Sequence, residues 1–269
     1  MHNDTIVDKT RNILNRTHAK PMSYVAFPRP EHFLRSVSMT RIPFIIKIFF
    51  IADMALIFSY VANQALGTPF YALTYWLDLD GEASFPTWYS VIQLACVAAL
   101  AGLFAVRNTH LTRVSTWPLL LLPLVFIALS IDELVQIHEW VGYKIDALLL
   151  ENGRENTIFQ NTGIWIFVFG IPFVVGVLGI LFILRRWLNT VPGVLPKIIL
   201  GLVVLATGAL LIETLSNFTE KGSVWHHLEV VCEEGCEMLG VTIILWAFYD
   251  LLKGHGLQIH LNPVDAHWP

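Results

Sequence analysis

At 269 residues, 55% hydrophobic and only 14% charged, with a mean hydropathy of +0.60, the chain has the composition of a membrane protein. Soluble domains carry about 25% charged residues, so this length goes into several apolar spans rather than into soluble domains. The net charge of −4 says little by itself because its signs are segregated along the chain, a nucleic-acid role is poorly supported because the basic N-terminal charges are what a first cytoplasmic flank needs, and three cysteines do not make a disulfide framework.

Residues 1–41 are polar and basic, with Lys9, Arg11, Arg16, Lys20, Arg29, Arg35 and Arg41, and with prolines that argue against one long helix. They read as a cytoplasmic tail beside anionic headgroups. The first apolar run begins only near Ile42, so no cleavable signal peptide is expected. The first span is expected over 42–65 and carries Asp53 near its middle, where a carboxylate must face the bundle interior or pair with a polar group. An acidic, aromatic loop follows over 67–86. The second span is placed at 87–106.

The third span is placed at 117–140, and no helix breaker follows until Gly142. On a continuous helix, Asp132, Gln136 and Glu139 share one stripe, with Glu133 and His138 to either side. Residues 143–162 read as a polar loop. The fourth span, 163–184, carries no charge, and Pro172 is a candidate kink. In the fifth, 197–217, Glu213, Asn217 and Glu220 repeat the four-then-three spacing. The sixth, 225–252, opens with His226, His227, Glu229, Glu233, Glu234 and Glu237. His226, Glu229, Glu233 and Glu237 form one helical stripe. Cys232 and Cys236, one turn apart, read as small packing residues. A short tail from 253 to 269 completes the chain.

The fold class expected is therefore all-α, a six-helix membrane bundle with both termini cytoplasmic. Thirteen of the seventeen Lys and Arg residues fall on the side of the termini and three on the other, with Lys47 inside the first span. That orientation puts Asp132–Glu139, Glu213 and His226–Glu237 near the extracytoplasmic face. At about 1.5 Å per residue, Glu237 lies roughly 16 Å deeper than His226. Meanwhile 117–143, 198–220 and 222–252 contain no Lys or Arg. Carboxylates sharing a low-dielectric site cannot all stay ionised unaided. Protonation, an aqueous cavity or a bound cation resolves this, and nearby histidines favour a metal.

The expected ligand set is Asp132, His138, Glu213, His226, Glu229, Glu233 and Glu237, with Glu233, Glu237 and Asp132 as candidate catalytic groups. Carboxylate-rich ligation suits Fe or Mn, and otherwise Zn. The Glu-x-x-His element of carboxylate-bridged di-metal bundles is absent from the sequence. No nucleotide, flavin or haem motif is present. The blander reading makes His226 and His227 interfacial residues and Glu220 a solvated one. Three functions stay open. The first is a metalloenzyme, oxidoreductase or hydrolase, acting on an apolar or lipid substrate. The second is a proton- or cation-coupled transporter, and the third a structural subunit. The expected location is a bacterial inner membrane, with the site on the extracytoplasmic side. The lipid bilayer is the one partner the sequence implies, and it leaves the oligomeric state open.

Overall fold

The computed structural model describes residues 42–111, 117–150, 154 and 157–256. The basic tail expected over residues 1–41 lies outside them. Among the described residues all regular structure is helical. Six helical stretches are long and apolar enough to cross a membrane: Phe44–Ala65, Phe85–Asn108, Trp117–Val135, Ile166–Leu188, Val194–Phe218 and Val224–Gly254. The chain is a multi-pass membrane protein.

The elements run in order. Helix α1 is Phe44–Ala65, α2 is the short Tyr71–Trp76, and α3 is Phe85–Leu111. A 3-10 turn, Trp117–Leu120, leads into α4, Leu121–Val135, and then α5, Ile137–Leu149. A wide π turn, Ile166–Gly170, precedes α6, Ile171–Leu188. Helix α7, Val194–Ala206, passes into a second π turn, Thr207–Ile212, then one helical turn at Glu213–Leu215 and a 3-10 turn at Ser216–Phe218. Helix α8, Val224–Gly254, closes the bundle.

Helix α8 is the central element. Its second half is mostly apolar, and from Met238 to Leu252 it buries Val241, Ile244, Leu245, Ala247, Phe248 and Leu251. A helix apolar on most sides belongs inside a bundle. Phe126 of α4 meets Phe248 edge-on at 6.2 Å. Against α7 the approach is closer than side chains allow. A Cβ on Gly201 would stand 2.7 Å from the Gly240 carbonyl, and one on Gly240 would stand 2.6 Å from the Leu205 nitrogen. Small residues permit this backbone-to-backbone packing in membrane bundles. At the far end Lys197 reaches Asp250 at 2.5 Å, tying the same two helices.

Asp53 is completely buried. It accepts hydrogen bonds from Tyr89 Oη (2.6 Å), Gln93 Nε2 (2.9 Å) and Thr242 Oγ1 (2.9 Å). The carboxylate thus both faces the interior and finds polar partners, and the node joins α1, α3 and α8.

The third span does not run unbroken to Trp140. It stops at Val135, and Gln136 turns left-handed at φ +55°. A non-glycine residue there is strained, and Asp132 offsets the strain. Its Oδ1 accepts the His138 N–H at 2.8 Å and so satisfies a free donor at the start of α5. The expected Asp132–Gln136–Glu139 stripe is therefore broken. Nor does the polar loop begin at 143, since α5 continues to Leu149. Gln136→Gly should raise stability by up to about 1 kcal/mol, and the β-branched Gln136→Val should lower it by more than about 1 kcal/mol. Thermal unfolding in a neutral detergent measures both.

The fourth and fifth spans carry π turns where regular helix was expected. Pro172 lies in the first turn of α6, directly after Ile166–Gly170. Its missing N–H leaves a carbonyl one turn earlier without its usual partner, which a wider turn accommodates. In the fifth span the π turn and the 3-10 turn dissolve the Glu213–Asn217–Glu220 stripe. Asn217 instead ties down the preceding loop, accepting the Asn161 N–H at 2.9 Å and donating to Thr162 Oγ1 at 2.8 Å.

Candidate functional site

Two cavities open at the end of the bundle where α4 finishes, the fifth span finishes and α8 begins. One, of about 320 Å³, is walled by apolar residues of α4, α6 and α7, among them Val125, Leu129, Phe173, Val177 and Leu205. The other, of about 440 Å³, is walled mostly by polar residues, with Gln136, Glu139, Glu233 and Glu234 beneath the loop Asp80–Glu82. Glu133, His138, Trp165, Glu213 and Glu237 line both. These five side chains form the seam between an apolar lobe and a polar lobe.

Each seam residue is placed by local chain geometry. The left-handed turn at Gln136 starts α5 and aims His138 back at Asp132. His138 Nδ1 stands 2.7 Å from Asp132 Oδ2. Both Asp132 oxygens thus serve His138, so Asp132 orients the imidazole and lines only the apolar lobe. The His138 ring packs on Trp165 at 4.9 Å. Trp165 Nε1 donates to Glu213 Oε1 at 3.3 Å. The π turn before Glu213 sets this position, and Gly208 within it lets α8 come close. A Cβ on Gly208 would lie 2.6 Å from the Glu233 carbonyl and 2.9 Å from Glu237 Cγ.

Burial alone would disfavour the imidazolium of His138. The Asp132 hydrogen bond and the negative charges of Asp132, Glu213 and Glu139 outweigh that, and His138 titrates above the ordinary imidazole range. In the loop over the polar lobe, burial pushes the carboxyls of Asp78 and Asp80 upward, and the neighbouring histidines only partly oppose it.

Of the residues expected from the sequence, Asp132, His138, Glu213, Glu233 and Glu237 reach the cavities. Asp132 touches only the apolar lobe and Glu233 only the polar one. His226 and Glu229 line neither. They bond each other at 3.3 Å, Thr219 donates to Glu229 at 3.4 Å, and Asp80 lies 4.0 Å from His226. His227 pairs with Tyr60 Oη at 3.0 Å. These contacts hold the loop around Asp80 and the start of α8 together.

Three further residues belong to the site. Glu133 and Glu234 were visible in the sequence as acids flanking the stripes. Trp165 was not, because a tryptophan near a span end reads as an interfacial anchor. Among the described residues no three His, Cys, Asp or Glu side chains stand together as a metal-holding group. The seven expected ligands therefore do not converge as one shell in this structure.

No curated protein and no solved structure matches the chain. Residues 46–252 match the profile of a family described as a domain of unknown function (DUF8692), and the chain belongs to that family.

Proposed function

We propose, for this member of the DUF8692 family, an integral membrane enzyme that takes an apolar substrate into the apolar lobe and transforms it at the seam with a divalent metal. One observation carries the reading: the same five side chains line an apolar and a polar cavity. Chemistry on a membrane-borne substrate needs such a junction, because the chain must stay in hydrocarbon while the reacting group meets polar side chains. In this reading Glu133, Glu213, Glu237 and His138 hold the metal, and Glu233 is left as general base. Asp132 fixes the ring of His138, as a carboxylate behind a metal-bound histidine does. His226 and Glu229 drop out of the ligand set and keep the loop in place.

The absence of Lys and Arg from these segments supports a bound cation. A divalent ion held by Glu133, Glu213 and Glu237 would neutralise part of their shared charge. A carboxylate-rich set favours Fe or Mn and oxidative chemistry, whereas Zn would favour hydrolysis. The distribution of basic residues supports cytoplasmic termini and a cavity facing the extracytoplasmic side, as in a bacterial inner membrane.

Elemental analysis of the protein purified in mild detergent tests this. We expect about one or two equivalents of Fe, Mn or Zn, lost in Glu237→Gln. Asp132→Asn should weaken metal binding by about 10–100-fold. No metal in either the wild type or Glu237→Gln, with the fold intact, would refute the metalloenzyme.

A cation-coupled transporter is the second reading, and the Asp53 node favours it. A carboxylate buried inside the bundle is how proton and ion paths are built.

A further inference from the structure

Helix α5 joins two membrane spans, yet none of its apolar side chains is buried. Gly142 and Asp146 are its only buried residues. Ile137 and Val141 face the apolar cavity, Glu139 and Tyr143 the polar one, and His138 both. The helix therefore lies over open space and not on a packed core. A segment with so few buried apolar contacts opens at low cost. Its attachments are few and mostly polar. Gln136, the single residue between α4 and α5, turns left-handed and acts as a one-residue hinge. Asp132 holds His138 just beyond it. Gly142 sits against Trp165, where a Cβ would stand 3.1 Å from the Trp165 Cβ. Near the far end Asp146 forms a latch. Its Oδ2 accepts from Arg154 Nε and Nη2, each at 2.8 Å, and its Oδ1 accepts the Ile164 N–H at 3.0 Å. A Cβ at Gly163 would collide with Asp146 Oδ2, so the carboxylate closes directly onto backbone.

The outer face of α5 suits a bilayer surface. Ile137, Trp140, Tyr143, Lys144 and Leu148 are exposed along one side. The Lys144 ammonium stands 5.7 Å from the Trp140 ring. Tryptophan, tyrosine and lysine beside aliphatic residues are what a helix carries where headgroups meet acyl chains. The exposed apolar strip of α4, Leu124, Ile127, Ile131 and Leu134, runs towards this face. The lipid surface that covers α4 therefore continues onto α5.

From these attachments we infer that α5 is a gate seated in the membrane interface. Its outer face binds the boundary of headgroups and acyl chains, and Asp146 latches it shut on Arg154 and the Gly163–Ile164 backbone. Swinging about Gln136 opens the apolar lobe to alkyl chains of the adjacent leaflet. This role rests on the apolar lobe being the substrate site proposed above. Opening carries His138 away from Glu213 and Trp165, and closing returns it. The seam is therefore complete only with the gate shut, after the chain has entered.

The full-length protein in phosphatidylcholine nanodiscs is read in three ways. By hydrogen exchange, the amides of α5 should exchange at least about tenfold faster than those in the middle of α4 and α6. Asp146→Asn should speed α5 by a further factor of at least about three and leave α4 and α6 unchanged. Next, 1-bromododecane is mixed with the nanodiscs. Bromine quenches nearby indoles, and the part of the quench missing in Trp165→Phe reports arrival at the seam. Asp146→Asn should raise the rate of that part at least about threefold and leave its depth unchanged. Arg154→Gln releases the same latch from its other partner and takes the place of Asp146→Asn where that variant does not fold. Last, phosphatidylcholine brominated near the headgroup end of its chains should quench a component that Trp140→Phe removes. No such component means that α5 does not lie on the bilayer, and overturns the inference. Exchange of α5 as slow as that of α4, in wild type and latch variant alike, also overturns it. A Trp165-dependent quench whose rate ignores the latch overturns the gate and leaves the apolar substrate site standing. No Trp165-dependent quench at all removes that site and the gate with it.

Discussion

Gly240→Leu is expected to abolish folding, with a loss of more than about 3 kcal/mol. The obstruction is backbone. A Cβ at 240 would lie 2.6 Å from the Leu205 nitrogen and 2.7 Å from the Gly201 carbonyl, and no rotamer change relieves either contact. Opening α7 from α8 to make room would also pull Gly208 off Glu237 and widen the seam. Gly201→Ala tests the same contact with a smaller group, and there Ile244 Cγ1 at 2.5 Å has to move as well. Gly176 and Gly179 of α6 are the controls, because a Cβ there meets nothing within 4 Å. Their alanine variants should be neutral or gain up to about 1 kcal/mol from helix propensity. Yield and melting temperature in one detergent separate the two pairs. Unchanged melting of Gly240→Leu would mean that α7 and α8 do not pack as described.

Asp53→Ala is expected to cost roughly 2–5 kcal/mol. The figure follows from three interhelical hydrogen bonds, each about 0.6 to 1.7 kcal/mol in membrane proteins. Removing the acceptor strands the Thr242 hydroxyl in a fully buried place, while Tyr89 keeps the Phe49 carbonyl and Gln93 keeps Thr242 Oγ1 as acceptors. Asp53→Asn keeps the size and one acceptor oxygen, so its cost should be less than half as large. The pair also separates the two functional readings. If the node only joins helices, Asp53→Asn keeps metal content and substrate binding, and vesicles carrying the wild type show no pH-driven ion flux. If it lies on an ion path, the wild type shows flux and Asp53→Asn loses it with the fold intact.

The apolar runs were legible in the sequence because a helix in hydrocarbon must satisfy every backbone group internally, and only a long apolar stretch does so cheaply. The same economy marked the acids, since a carboxylate in such a stretch stands out. Asp132, His138, Glu213, Glu233 and Glu237, named from that logic, all reach the cavities. What the sequence alone could not determine was their arrangement. Periodicity assumes an unbroken helix, and three departures change which way side chains point. The left-handed Gln136 follows from a capping contact between Asp132 and His138, six residues apart. The π turns at Ile166–Gly170 and Thr207–Ile212 reset the rotation of Trp165 and Glu213 relative to regular helix. His226 and Glu229 share a sequence stripe with Glu233 and Glu237, yet the first turns of α8 meet Asp80 and Thr219, and the cavities are lined only from Glu233 onward. The sequence by itself determined that acids would gather in one zone of a helical membrane bundle. Only tertiary packing decided which of them face open space and which already have partners, because that depends on the helices beside them.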